Sequence, residues 1–126
     1  MFSFEKPKKR ELVQGEREAF LPVLTNLEKL LNKDGLTAQV HVIRVLIDLL
    51  KERKDDEFKR LLNGIDMWGG SGAVWEVHFE DNASMQEFEI EILKLIDLME
   101  KADVLGKGII PIRRIFISNL ENKERY

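Results

Sequence analysis

The stretch Ala38–Leu50 constrains the fold of this chain more than any other. Ala38, Val40, Val42, Ile43, Val45, Leu46, Ile47, Leu49 and Leu50 leave few polar positions in it. His41, Arg44, Asp48 and Lys51 recur at spacings of three, four and three, the repeat of one narrow stripe on a helix. A rod that is apolar on nearly every other side must be engulfed by neighbouring elements. Its apolar side chains, at roughly 1.5–3 kcal/mol each before entropy, make it the expected centre of the core.

The rest of the chain supplies helices to surround it. Phe20, Val23, Leu24, Leu27, Leu30 and Leu31 form a 3-4 stripe. Pro22 fits such a helix only near its start, so the spacing predicts a first helix from Arg17–Glu18 to the stop at Asp34-Gly35. Thr37 is the expected cap of the second helix, and Asp55 or Asp56 that of a short third one burying Phe58, Leu61 and Leu62. Asn63-Gly64 ends the third helix, with Ile65 placed for the apolar contact that follows a glycine stop. Asn82 or Ser84 opens a fourth, whose stripe is Met85, Phe88, Ile92, Leu95, Ile96, Met99 and Ala102. Glu87, Glu91, Lys94 and Lys101 are expected on its exposed side. Pro111 suits the first turn of a fifth helix in which Ile112, Ile115, Phe116 and Leu120 share a face. The expected fold is all-α: one compact domain over residues 1–126, a bundle of about five helices. Residues 1–16 are expected as a flexible arm and 121–126 as a frayed tail.

Residues 65–82 break the pattern with both tryptophans and three glycines, Gly69, Gly70 and Gly72, close together. Trp75, Val77 and Phe79 alternate with Glu76, His78 and Glu80, as in a strand with one dry face. A cap at Ser71 would instead put Trp75 and Phe79 one helical turn apart. Without an evident partner strand, helix is the favoured alternative. Gly69-Gly70-Ser71-Gly72 reads as a tight turn needing positive φ or close packing under tryptophans whose indole N–H groups are hydrogen-bonded. A phosphate cradle is disfavoured: the Lys-Ser/Thr of a P-loop is missing, and Asp66, Glu76, Glu80 and Asp81 would repel an anion.

The chemistry open to the chain is narrow. With no cysteine, disulfides, zinc ribbons, Fe–S ligation and thiol catalysis are excluded. His41 is expected as a partly buried, hydrogen-bonded residue on the polar stripe. His78 with Glu80 and Asp81 has a spacing too common to specify a metal, and no serine sits in a nucleophile elbow. Glu87 and Glu91, one turn apart on a face expected to be exposed, do not suggest an acid-base pair. No catalytic set and no cofactor are expected.

Charge is nearly balanced overall, at −3, yet uneven along the chain. Residues 65–104 hold ten acidic side chains against Lys94 and Lys101, a local sum of −8. Such a block repels nucleic-acid backbones and attracts a basic protein surface. No apolar run approaches the roughly 20 residues of a membrane span. The first ten residues carry charge without an apolar core, so no secretory signal is expected and the compartment is expected to be cytoplasmic.

Asp66-Met67-Trp68-Gly69-Gly70-Ser71-Gly72-Ala73-Val74, followed by the helix around Phe88–Met99, resembles a family of small bacterial proteins with a Trp-Gly-Gly-x-Gly-x-Val signature. The resemblance spans roughly residues 40–120 and implies no particular activity. By analogy of size, charge and compartment, such proteins look like immunity proteins that block a toxin. The expected function is therefore a non-catalytic module binding a basic protein partner, a toxin in the most specific form. Glu76, Glu80, Asp81, Glu87, Glu89 and Glu91 would steer the partner, and Trp68 and Trp75 would anchor it. The alternative is a small enzyme or nucleotide-binding protein using the Gly69–Gly72 loop and His78. A homodimer through the apolar edge of the last helix is a third expectation.

Overall fold

The computed structural model describes residues 11–123, and among them every regular element is helical. In order these are α1 (Gln14–Lys33), α2 (Thr37–Lys51), α3 (Asp55–Leu62), the single turn α4 (Ile65–Trp68), α5 (Asn82–Lys101) and α6 (Ile110–Lys123). Turns of 3-10 helix lie at Val74–Glu76 and Lys107–Ile109. The chain is thus the expected all-α bundle, with one hydrophobic core running from Leu12 to Phe116.

The centre of that core is α1. It packs against α2 on one side and α5 on the other, burying Phe20, Val23, Leu24, Leu27, Leu30 and Leu31. Lys33 Nζ at its end donates to Ser84 Oγ at the start of α5 (3.1 Å), so the two helices run antiparallel. The apolar rod of the sequence is α2, and its expected engulfment is only half realised. Val40, Ile43, Leu46, Ile47 and Leu50 are buried, but Ala38 is exposed and Val42, Val45 and Leu49 are half-buried. The reason is positional: the other long helix, α5, lies on α1, leaving α1, α3 and α4 as the main neighbours of α2.

α1 begins three residues before its expected start. The Val13 N–H donates to Glu16 Oε1 at 2.9 Å, satisfying a group that a bare helix start would orphan. Pro22 consequently lies well inside α1 and removes one bond to the Glu18 carbonyl. Both residues are exposed, so water can serve that carbonyl. Of the expected flexible arm, residues 1–10 lie outside the described part, Leu12 is buried and α1 begins at Gln14. Of the expected frayed tail, 121–123 continue α6 and 124–126 lie outside the described part.

Three helices end in the same closed turn. After α1, Gly35 takes φ +73° and Leu36 N–H returns to Leu31 O (3.0 Å). After α2 and α5 the left-handed residue is Arg53 (φ 60°) or Asp103 (φ 62°), with Lys54 N–H on Leu49 O and Val104 N–H on Met99 O. Glycine is the usual occupant, because a Cβ disfavours this conformation.

Two expected caps do other work. Thr37 is the first residue of α2, after Leu36, and its hydroxyl caps nothing. Asp55 is buried and takes both ends of the Arg17 guanidinium, Nη1 at 2.7 Å and Nη2 at 2.8 Å, as well as the Leu12 N–H at 2.9 Å. Arg17 Nη2 also donates to Leu12 O (3.1 Å). Burial alone would raise the Asp55 carboxyl. The Arg17 hydrogen bonds, the Leu12 N–H and the guanidinium charge outweigh it and hold Asp55 below the ordinary carboxylate range. The same hydrogen bonds hold Arg17 above its ordinary value.

Candidate binding surface around the glycine-tryptophan segment

Between α3 and α5 the chain is held by side chains rather than by long elements. Asn63, the residue ending α3, uses its whole amide. Nδ2 donates to Lys59 O (3.0 Å) and Val104 O (2.8 Å), and Oδ1 accepts from the Gly106 N–H (2.8 Å). The α3 end is thereby tied to the turn that precedes α6. Ile65, expected in apolar contact, is instead 83% exposed. Here α4 starts at once, and Met67, not Ile65, fills the core.

Both tryptophans turn inward by their N–H groups, as expected. Trp68 Nε1 donates to Leu62 O (2.6 Å) and Trp75 Nε1 to Gly69 O (2.8 Å). The glycines divide by role. A Cβ on Gly69 would lie 2.6 Å from Ile65 O, so close backbone approach requires glycine there. Gly72 needs it for its φ of +91°, whereas Gly70 has open space around it. Gln39 Nε2 on α2 donates to Gly72 O (2.9 Å) and fixes the turn from outside.

After the turn, 73–79 is not the favoured helix. Val74–Glu76 makes one 3-10 turn, and the backbone is extended at Val77. The burial alternates as a strand would: Val77 and Phe79 are buried, Glu76, His78 and Glu80 exposed. No strand pairs with it among the described residues; packing on aromatic rings replaces pairing. Trp75 meets Phe116 edge-on at 6.3 Å, Phe116 meets Phe88 at 6.4 Å, and Phe88 meets Phe79 at 5.2 Å. The two tryptophans are half-buried supports of this segment, leaving only part of each ring for a partner.

The expected acidic face separates into three groups. Glu76, Glu80 and Glu87 are exposed and in no ion pair among the described residues. Asp81 caps α5, in place of the expected Asn82 or Ser84: Oδ2 accepts from Ser84 Oγ (2.7 Å) and Ser84 N–H (3.1 Å). Those bonds keep its carboxyl below the ordinary range. Glu89 and Glu91, expected among the solvated carboxylates, are buried at 2% and 6% exposure. The correction follows from α5 being covered twice, by α1 and by α6, so the dry arc is wider than one stripe. Glu89 accepts from Asn119 Nδ2 of α6 at 3.4 Å. Glu91 Oε2 pairs with Lys94 Nζ (3.1 Å), while its Oε1 has no partner. Farther along α5, Asp97 and Glu100 share Arg113 of α6 (2.9 and 3.0 Å).

Three residues past Glu87 on α5, Ile90 is 40% exposed, and Ile110, Ile115 and Ile117 are exposed on α6. Ile115 was expected on the buried face with Ile112 and Phe116; it lies outside it. Exposed isoleucines on α6 lie on the helix whose apolar edge was the expected homodimer contact, whereas sequence reasoning gave no place to Ile90, which falls outside the α5 core stripe.

The groups named for the alternative chemistry do not converge. His41, expected to be partly buried, is exposed, as are His78 and Ser71. The cavity beside Trp68, about 300 Å³, is lined by Asn63, Ile65, Gly69, Gly106 and Ile109 and contains neither Ser71 nor His78. Among the described residues no three His, Asp or Glu side chains are placed to hold a metal ion, and no helix is long and apolar enough to cross a membrane. No protein-family model, curated protein or solved structure matches the chain.

Proposed function

We propose that this protein is a non-catalytic binding module that takes a basic protein partner on the surface around Glu76, Glu80 and Glu87, in the manner of an immunity protein neutralising a toxin. The observation that carries the reading is that these three carboxylates are exposed and in no ion pair among the described residues, with Ile90 exposed three residues from Glu87 on α5. Carboxylates that no internal cation neutralises accelerate encounter with a positive surface, and an adjacent apolar side chain supplies area that loses water on contact. The likeness of Trp68–Val74 to a bacterial signature agrees with a bacterial setting, and the segment acts as the scaffold of the surface. Glu89 and Glu91 are withdrawn from the partner-facing set.

The test has two steps. The protein is co-purified from its native cell, and the association rate of the partner found is measured against ionic strength. The triple change Glu76→Lys, Glu80→Lys, Glu87→Lys should slow association at low salt by about 10-fold or more and flatten its salt dependence. Growth protection against the partner, when expressed, should fall with it. An unchanged rate, or a partner whose contact surface is acidic, refutes the reading.

A further inference from the structure

A second site lies away from that surface, where the start of α1 meets the end of α2. A cavity of about 160 Å³ opens there, with Leu21 and Leu50 as its apolar wall. Arg17, Lys51 and Arg53 line it, against one acidic side chain, Glu18. Lys51 and Arg53 are exposed and in no ion pair among the described residues. Arg17 is 8% exposed, and its Nε, unlike its Nη atoms, has no hydrogen-bond partner. A buried N–H of a charged group without an acceptor is an uncommon feature that a ligand oxygen would complete.

The rim is loosely held. Arg53 Nη2 donates to Gln14 Oε1 at 3.3 Å, and Gln14 Nε2 to Glu18 Oε2 at 3.2 Å, both in solvent. Displacing these side chains would cost only two exposed bonds. Arg53 is also held in the left-handed conformation that glycine would occupy more easily. The residue tolerated there puts a cation on the cavity.

We propose that this cavity binds a carboxylate carried on a short apolar tail. The tail lies against Leu21 and Leu50, and one carboxylate oxygen accepts from Arg17 Nε–H. The other takes the place of Gln14 Oε1 before Arg53, with Lys51 beside it. The Arg17 charge is already matched by Asp55; of the other charged lining residues Lys51 and Arg53 are cationic and Glu18 anionic, while Arg53 also borders Glu11, Asp56 and Glu57. The two cations at the mouth favour an anion over a neutral group. A free short-chain acid and the C-terminal carboxylate of a peptide ending in an aliphatic residue present this same chemistry. The site is independent of the proposed partner surface, so either can fail alone.

The test titrates the full chain with sodium hexanoate, with N-acetyl-leucine as the mimic of a peptide terminus, and with hexanol as the uncharged control. Nitrogen-correlated NMR reads the Arg17 Nε–Hε cross-peak, and methyl spectra read Leu21 and Leu50. Saturable movement of all three with a carboxylate, absent with hexanol, is expected. Lys51→Gln with Arg53→Gln, both exposed positions, should weaken binding at least 5-fold without unfolding the chain. Tighter binding of N-acetyl-leucine than hexanoate identifies a peptide terminus as the source, and the reverse order a free acid. The proposal is overturned if neither carboxylate moves the Arg17 peak, if hexanol matches them, or if the double variant binds equally well.

Discussion

Replacing Asp55 by alanine gives the sharpest test of how this bundle is held closed. Asp55 receives two guanidinium hydrogen bonds of 2.7 and 2.8 Å and the Leu12 N–H at 2.9 Å, and it is 7% exposed. Its removal strands a buried cation and a backbone donor together. Breaking one partner of a buried pair costs about 3–5 kcal/mol, a large part of the roughly 5–15 kcal/mol that holds a domain folded. At about 4 °C per kcal/mol, the melting temperature should fall by some 12–20 °C. Urea unfolding followed by circular dichroism reads the same quantity directly. The double variant Arg17→Met, Asp55→Leu removes both charges and should recover most of the loss, because no ion is left without its counterpart. Acid supplies an independent readout. The depressed Asp55 carboxyl contributes fully above its unfolded value of about 3.9 and loses that contribution as pH falls through its folded value. Stability should therefore drop below about pH 4, and less steeply in Asp55→Asn. A cost under about 1 kcal/mol for Asp55→Ala, the scale of a solvated pair, would refute the reasoning.

The turn glycines should separate by thermal denaturation: Gly69→Ala and Gly72→Ala each lower stability by about 1 kcal/mol or more, while Gly70→Ala stays within about 0.5 kcal/mol. Glu91→Leu should raise stability by about 1–2 kcal/mol, since it removes a buried carboxylate oxygen with no partner, and should leave the partner's association rate unchanged. Arg53→Gly should raise the melting temperature by about 2–4 °C through relief of the left-handed backbone, and at the same time weaken carboxylate binding in the cavity. No rise in Arg53→Gly would remove the claim of backbone cost at that turn.

Much of the architecture was written in periodicity. The stripe Phe20–Leu31 and the stripe Phe88–Met99 each name buried residues of α1 and α5, because spacing on a helix fixes which side chains share a face. What spacing does not carry is which helix faces which. Nine apolar residues made α2 look central, whereas α1 holds that position because two helices lie on it. The same gap explains Glu89 and Glu91, which sit beside a core stripe and become buried only once α6 arrives. The Arg17–Asp55 pair was invisible for another reason: it joins residues 38 apart, and an aspartate before a short helix is normally a cap. In the glycine-tryptophan segment, residue chemistry spoke more plainly, since an indole N–H must find an acceptor and crowded glycines mark tight backbone. Alternation of Trp75, Val77 and Phe79 reported burial correctly, but burial alone does not supply a pairing strand.

The single amide of Asn63 has a mechanical consequence. α6 leans on α5 and on the turn before it, and that turn is tethered to the far end of α3 by one side chain. Asn63 thereby joins two parts of the chain some 40 residues apart, while α6 itself is fastened to α5 by Arg113, Asn119 and the buried Phe116. Shortening that one side chain would leave the Gly106 N–H without its acceptor and the Val104 carbonyl without its amide donor, a local loss that the α5–α6 contacts do not repair.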